Sequence, residues 1–227
     1  MDVRGKRVLI LGDSLSHRGG SLSPVVYDVR EGTQRTSSVP GDLLASYFLE
    51  NGASAVRVNA KVSRSAWNFF RVEDGNALLQ ADQAWKPKVV IVMLGTNDLG
   101  LNMTKDAEAM TAIFRAYASV GADVGAVGPP SFASSERMAQ SEAVVQMLKN
   151  VFGSNHVIDA RPLTADLTIN GRSSDRVHFT AAGANLFAQR IAQALRLTAP
   201  SISLPANTIS PPTTTQPNQS QSQQPVW

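Results

Sequence analysis

The chain has 227 residues, 43% of them hydrophobic and 17% charged, with a formal net charge of +3 and no cysteine. That is globular composition, and the length suits one α/β domain or two small ones. It excludes disulfides, thiol nucleophiles and cysteine–metal sites; with no Lys/Arg run interleaved with aromatics, nucleic-acid binding is not indicated.

The N-terminus, MDVRGKRVLILG, carries an apolar run too short for a signal-peptide core plus cleavage site, so a cytoplasmic protein is expected. A mature form with its leader removed, or a phage product released by lysis, would begin in the same way. No stretch approaches the roughly 20 apolar residues of a membrane span. The first strand is expected over Arg7–Leu11, ending at Gly12, with Asp13 and Ser14 at its tip. The stretch from Leu15 to Val39 is read as a loop. It is long for a compact domain, and it leaves the edge where open α/β sheets bind their ligands.

Apolar residues at helical spacing follow Pro40 and stop at Gly52, and a second strand is expected over Ala55–Asn59. After VNAKVSRSAWNFF, the segment DGNALLQADQAW reads as a helix. A third strand, Lys88–Leu94, runs into the turn Gly95-Thr96-Asn97-Asp98. A helix with Thr104 as N-cap follows, then a strand over Ala122–Val127 and the helical ERMAQSEAVVQMLKNVFG. A last strand, His156–Asp159, leads through SSDRVHFTAAG to a closing helix capped by Thr180. Strand then helix, five times over, predicts a five-stranded parallel sheet with helices on both faces, a three-layer α/β sandwich. After Arg196 no charged side chain remains and Pro, Ser, Thr, Gln and Asn dominate. The domain is therefore expected to span residues 1–197, with 198–227 a flexible tail or linker.

Four segments carry candidate chemistry. A serine displayed after a glycine at a strand end serves as a nucleophile when a base takes its proton; otherwise Asp13 and Ser14 are helix-cap residues. Asp175 and His178, three apart, can place a carboxylate on imidazole Nδ1 and leave Nε2 as a base; the alternative is a surface histidine near a helix N-terminus. Asn97 can donate to an oxyanion or simply suit a turn. The segment from Asn59 through Ser63, Arg64 and Ser65 can present a backbone N–H to the same oxyanion or be a polar connection. His17 and His156 show no metal-ligand spacing, and neither a metal nor a cofactor is expected.

Gly-Asp-Ser near the N-terminus, the Asn59 segment, Gly-Thr-Asn-Asp, VGPP and Asp-x-x-His, in that chain order, resemble the SGNH (GDSL) hydrolase family over roughly residues 6 to 195. The resemblance implies the flavodoxin-like SGNH fold, with Ser14 as nucleophile, His178 as general base and Asp175 as its orienting partner. It also implies an oxyanion hole made by the Ser14 N–H, the Asn97 side-chain amide and a backbone N–H near position 64. There the family usually has glycine and this chain has Arg64, with Ser63 the neighbouring possibility; the chemical step would then use the Arg64 N–H and not its guanidinium, and a guanidinium contact with an anionic or sugar substrate is an open alternative. The activity implied is esterase cleavage through an acyl-serine. The polar loop before Val39 points to a small acyl group, acetyl, on a carbohydrate or other polar small molecule. Acyl transfer by the same residues, or a silent surface-binding module, are the alternatives. Nothing in the chain sets the oligomeric state.

Overall fold

A computed structural model describes residues 1–16, the backbone of the strand Val25–Asp28, and residues 39–197. The elements run β1 (Arg7–Gly12), β2 (Val25–Asp28), α1 (Pro40–Glu50), β3 (Ala55–Ala60), α2 (Ala66–Arg71), α3 (Gly75–Ala84), β4 (Val89–Met93) and α4 (Met103–Ala118). They continue with β5 (Asp123–Val127), α5 (Ser135–Phe152), β6 (Val157–Ile158), α6 (Ala160–Thr164) and α7 (Ala181–Ala194). The sheet order is β2-β3-β1-β4-β5-β6. Five strands are parallel, as expected, and β2 adds an antiparallel edge, Val25 opposite Val58 and Asp28 opposite Ala55. That strand lies inside the stretch read as a loop. Its Val-Val-Tyr run suits a strand, but only pairing with β3 makes it one. Residues 17–24, with His17, and 29–38 of that loop, and the tail 198–227, lie outside the described residues.

After the exposed Arg7, β1 is apolar because both its faces are covered. Val8 and Ile10 pack with α1 and α7, against Leu44, Phe48, Phe187 and Ile191. Leu9 and Leu11 pack on the other face, against Phe69, Met110, Ile113 and Tyr117 of α2 and α4. Burying each such side chain contributes about 1.5–3 kcal/mol, so a polar residue at any of the four would outweigh any local strand propensity. β1 sits between β3 and β4. The chain builds outward from it in both directions, and the crevice at the carboxyl ends of these three strands is the switch point where such folds hold ligands.

Two short helices were not expected. α2 follows β3 directly, capped by Ser65 Oγ, which accepts from Asn68 N; α6 is capped by Asp159. The cap of α4 is Asn102, whose Oδ1 accepts from the N–H groups of Thr104 and Lys105, so Thr104 lies inside the helix it was expected to cap. Thr180 caps α7 by accepting from Gly183 N. No helix among the described residues is long and apolar enough to cross a membrane.

Candidate active site

The carboxyl ends of β1, β3 and β4 and the loop before α7 meet in one place. Gly12 ends β1. A side chain there would overlap Ser16 Oγ, so glycine is needed for close approach and not for a left-handed turn. Asp13 turns back on itself, its Oδ1 accepting from Leu15 N at 2.8 Å and its carbonyl from Ser16 N at 3.0 Å. Ser14 is thereby left half-buried at the tip, and its N–H has no protein acceptor among the described residues.

The loop from Ser173 to His178 brings the imidazole to that serine. His178 Nε2 lies 2.9 Å from Ser14 Oγ, and Nδ1 lies 2.6 Å from Asp175 Oδ2. The other Asp175 oxygen accepts from Val177 N and His178 N, each at 2.9 Å, and from Ser173 Oγ at 2.8 Å. The His178 contact, reinforced by these donors, holds the Asp175 carboxyl well below the usual carboxylate range. A carboxylate fixed on Nδ1 keeps that nitrogen protonated and leaves Nε2 the basic one. Arg176 takes a left-handed φ of 59° to close the loop. Behind it Arg172, 5% exposed, donates to Val177 O and, at 2.7 Å, to Ser131 O, with its guanidinium 3.7 Å from the Phe179 ring centre. Burial pushes Arg172 down to about 10. It ties the His178 loop to the segment after β5. Asp175 and His178 are about half exposed, so the crevice is open.

Asn97 follows β4 through Gly95, whose φ of 127° excludes other residues. Its Nδ2 donates to Arg64 O at 3.1 Å and, longer, to Asp13 Oδ2 at 3.4 Å. Ser14, Asn97 and the backbone of Arg64 are thus neighbours. The Arg64 N–H closes a turn on Lys61 O at 3.2 Å, while Ser63, exposed and at φ 61°, has an N–H with no acceptor among the described residues.

The Arg64 guanidinium does not face the crevice, so the alternative of a guanidinium contact with substrate falls. Its side chain is 3% exposed and turned under the strand ends. Nε and Nη2 grip Glu73 at 3.0 and 2.8 Å, and Nη1 donates to Gly12 O, Asn59 O and Asn59 Oδ1 at 3.2, 2.9 and 3.2 Å. Asn59 in turn donates to buried Asp82 at 2.7 Å, which also accepts from Tyr117 Oη at 2.9 Å. A buried polar network therefore stands directly behind the Ser14 turn.

Asp98, which sequence reasoning left as a turn residue, is fully buried and accepts from Ala66 N at 2.8 Å, anchoring α2 just after Arg64 and Ser65. Its other oxygen has no N–H donor and faces the carboxyl of buried Asp106, which the Trp67 backbone N–H supports. Two such carboxylates side by side require a shared proton. Burial, with Asp106 adding to it, pushes Asp98 up to about 8. Burial likewise raises Asp13 to about 7. No group of acids and histidines among the described residues is arranged to hold a metal ion.

A three-layer α/β sheet with Ser14, Asn97, Asp175 and His178 gathered at its switch point defines a carboxylic ester hydrolase of the SGNH type. The sequence matches the family model of GDSL-like lipases and acylhydrolases over residues 10–186, and the chain belongs to that family. No curated protein sequence matches it. Among solved structures it is similar to a catalytic mutant of an acetylxylan esterase from Geobacillus stearothermophilus, with TM-score 0.67 and 16% identity, covering 87% of this chain and 98% of that one. It is also similar to a lipase/acylhydrolase from Enterococcus faecalis (TM-score 0.60, 20% identity, 87% and 100% covered). A psychrotrophic esterase from a Pseudoalteromonas species gives TM-score 0.58 and 18% identity, with 84% and 97% covered. At these identities the likeness is one of fold.

Proposed function

We propose that the protein is a serine esterase that removes a small acyl group, acetyl, from a carbohydrate or other polar alcohol through an acyl-serine intermediate. The observation that carries this reading is the continuous chain from Ser14 Oγ through His178 to Asp175, at 2.9 and 2.6 Å. His178 Nε2 takes the Ser14 proton as Oγ bonds to the ester carbonyl carbon. The carbonyl oxygen becomes an oxyanion, received by the Ser14 N–H, the Asn97 amide hydrogen released from its long 3.4 Å contact with Asp13, and a backbone N–H of the Ser63–Arg64 segment. Collapse breaks the bond to the alkoxy oxygen, which leaves as the alcohol with the proton from His178. Water then attacks the acyl-serine, gives its proton to Nε2, and the acid departs as Ser14 regains its hydroxyl.

The open crevice supports a polar substrate, and the fold shared with an acetylxylan esterase supports a short acyl group. The test is turnover of p-nitrophenyl esters of increasing acyl length and of acetylated glycans. The expected result is fastest release of acetate, with a serine-directed phosphonate labelling Ser14. Preference for long acyl chains would refute the substrate assignment, and labelling elsewhere would refute the nucleophile. Product analysis with added alcohols separates hydrolysis from transfer.

A further inference from the structure

A cavity of about 290 Å³ opens beside the reacting groups, lined by Thr96, Asn97, Leu99, Phe132, Arg137, Gln140 and Val177. Asn97 and Val177, the neighbour of His178, form the wall nearest the site. Arg137 is the one charged residue lining the cavity. Its side chain lies over the Phe132 ring, 5.7 Å from the centre, and no carboxylate among the described residues pairs with it. Arg172 lies 5.6 Å from the same ring centre, again without a carboxylate in salt-bridge contact. Two guanidinium groups therefore flank one phenyl ring at this wall. Of the acids nearby in sequence, Asp175 is held by His178 and its own loop, and Glu136 accepts from Gln140 at 3.4 Å; neither is in salt-bridge contact with Arg137. Arg137 also stands in the first turn of α5, where the helix dipole disfavours a cation, so its charge serves no end in helix stability. Arg137 thus puts one cation without a salt-bridge partner on the cavity wall, and a small acyl group would not fill the space.

We propose that this cavity is a subsite for the alcohol portion of the substrate and that Arg137 selects an alcohol bearing a carboxylate, such as a uronic acid. The inference rests on the esterase reading above, in which the acyl group is small and the alcohol is the bulky part. Guanidinium and carboxylate match in a two-point geometry that a neutral hydroxymethyl group does not offer.

The probes are a methyl O-acetyl-glucuronide and the corresponding O-acetyl-glucoside, which differ only in carboxylate against hydroxymethyl. With the parent enzyme, kcat/KM for acetate release should favour the uronate about tenfold, through KM, as one charge-assisted bond at a partly exposed site allows. The preference should shrink at high salt. Arg137→Ala should bring the ratio near one, Arg137→Lys should restore part of it, and Arg137→Glu should invert it. A parent ratio near one, or a ratio that Arg137→Ala leaves unchanged, overturns the subsite. Calorimetric binding of the two esters to Ser14→Ala and to Ser14→Ala/Arg137→Glu reads the same discrimination without turnover. If the uronate binds more tightly only where Arg137 is present, yet no ester is cleaved by the parent, the subsite stands and the esterase reading falls. If p-nitrophenyl acetate is cleaved and the two sugars bind alike, the reverse holds.

Discussion

Arg64→Ala removes a guanidinium that is 3% exposed from a carboxylate, Glu73, that is 8% exposed. Removing one partner of a buried ion pair costs about 3–5 kcal/mol, because the other charge is left in place without compensation. Here Gly12 O and the Asn59 carbonyl also lose a donor, which raises the cost. Lys61 lies 3.8 Å from Glu73 and is one-third exposed, so it takes up part of the stranded charge. The expected loss is therefore at the low end of the range, about 3 kcal/mol, a large share of the 5–15 kcal/mol typical of a domain. Urea unfolding at constant m measures it. The double variant Arg64→Ala/Glu73→Ala should lose less than the two single losses summed, by roughly 2 kcal/mol, since no bare carboxylate remains. A single-variant loss below about 1 kcal/mol, or strict additivity, would refute the view that this pair holds the floor of the site.

Three further outcomes follow from the site. Ser14→Ala should abolish ester hydrolysis and leave the melting temperature near that of the parent; residual activity above a trace would displace the nucleophile. His178→Ala should cost several orders of magnitude in kcat and Asp175→Ala less, because Asp175 orients the base without taking its proton; equal, small losses would mark both as structural. The buried Asp98–Asp106 pair keeps in the native state a proton that the unfolded chain releases above about pH 4. The native state then binds more protons, so stability should fall as pH rises from about 4 toward about 8 and level off above. Asp98→Asn keeps the acceptor for Ala66 N and supplies a fixed donor to Asp106, so its stability curve should be flatter. Asp13, raised to about 7, adds a slope of the same sign that this variant retains. An unchanged slope in Asp98→Asn would place the proton elsewhere.

The sequence made the strands legible for a physical reason: Leu9 to Leu11 are buried alternately on opposite faces, and such a run has few other uses. The elements it hid depend on distant residues. α2 is only six residues, too short for its apolar spacing to stand out, and its start is fixed by Asp98 after β4; β2 exists through its pairing with β3. Of the site, Ser14, Asn97, Asp175 and His178 were legible because few chemistries place those residue types at strand ends and before a last helix. The direction of the Arg64 side chain was not legible, since nothing local in Ser63-Arg64-Ser65 shows that it turns inward to Glu73. Nor was Arg172, whose partners are backbone carbonyls of Ser131 and Val177 and leave no pattern in residue types.

Position 64 also decides how the third oxyanion donor must be tested. Proline there removes the N–H, but Ser63 holds φ 61° and the residue before proline is driven toward extended backbone. Arg64→Pro would therefore unwind the turn to Lys61 and cost the Glu73 pair as well, and its kinetics would report a broken loop. Replacing the Arg64 amide by an ester through semisynthesis removes the N–H alone and leaves the guanidinium on Glu73. If that N–H serves both Lys61 O and the oxyanion, the ester should lower kcat on a small neutral acetate by roughly 10²–10³-fold with little change in KM, the usual cost of one donor. The Lys61 turn bond, long at 3.2 Å, should cost only about 1 kcal/mol of stability when it goes. Ser63 offers the competing N–H, and the same exchange at Ser63 discriminates between them. Loss at Ser63 with none at Arg64 would assign the donor to the left-handed residue at φ 61°.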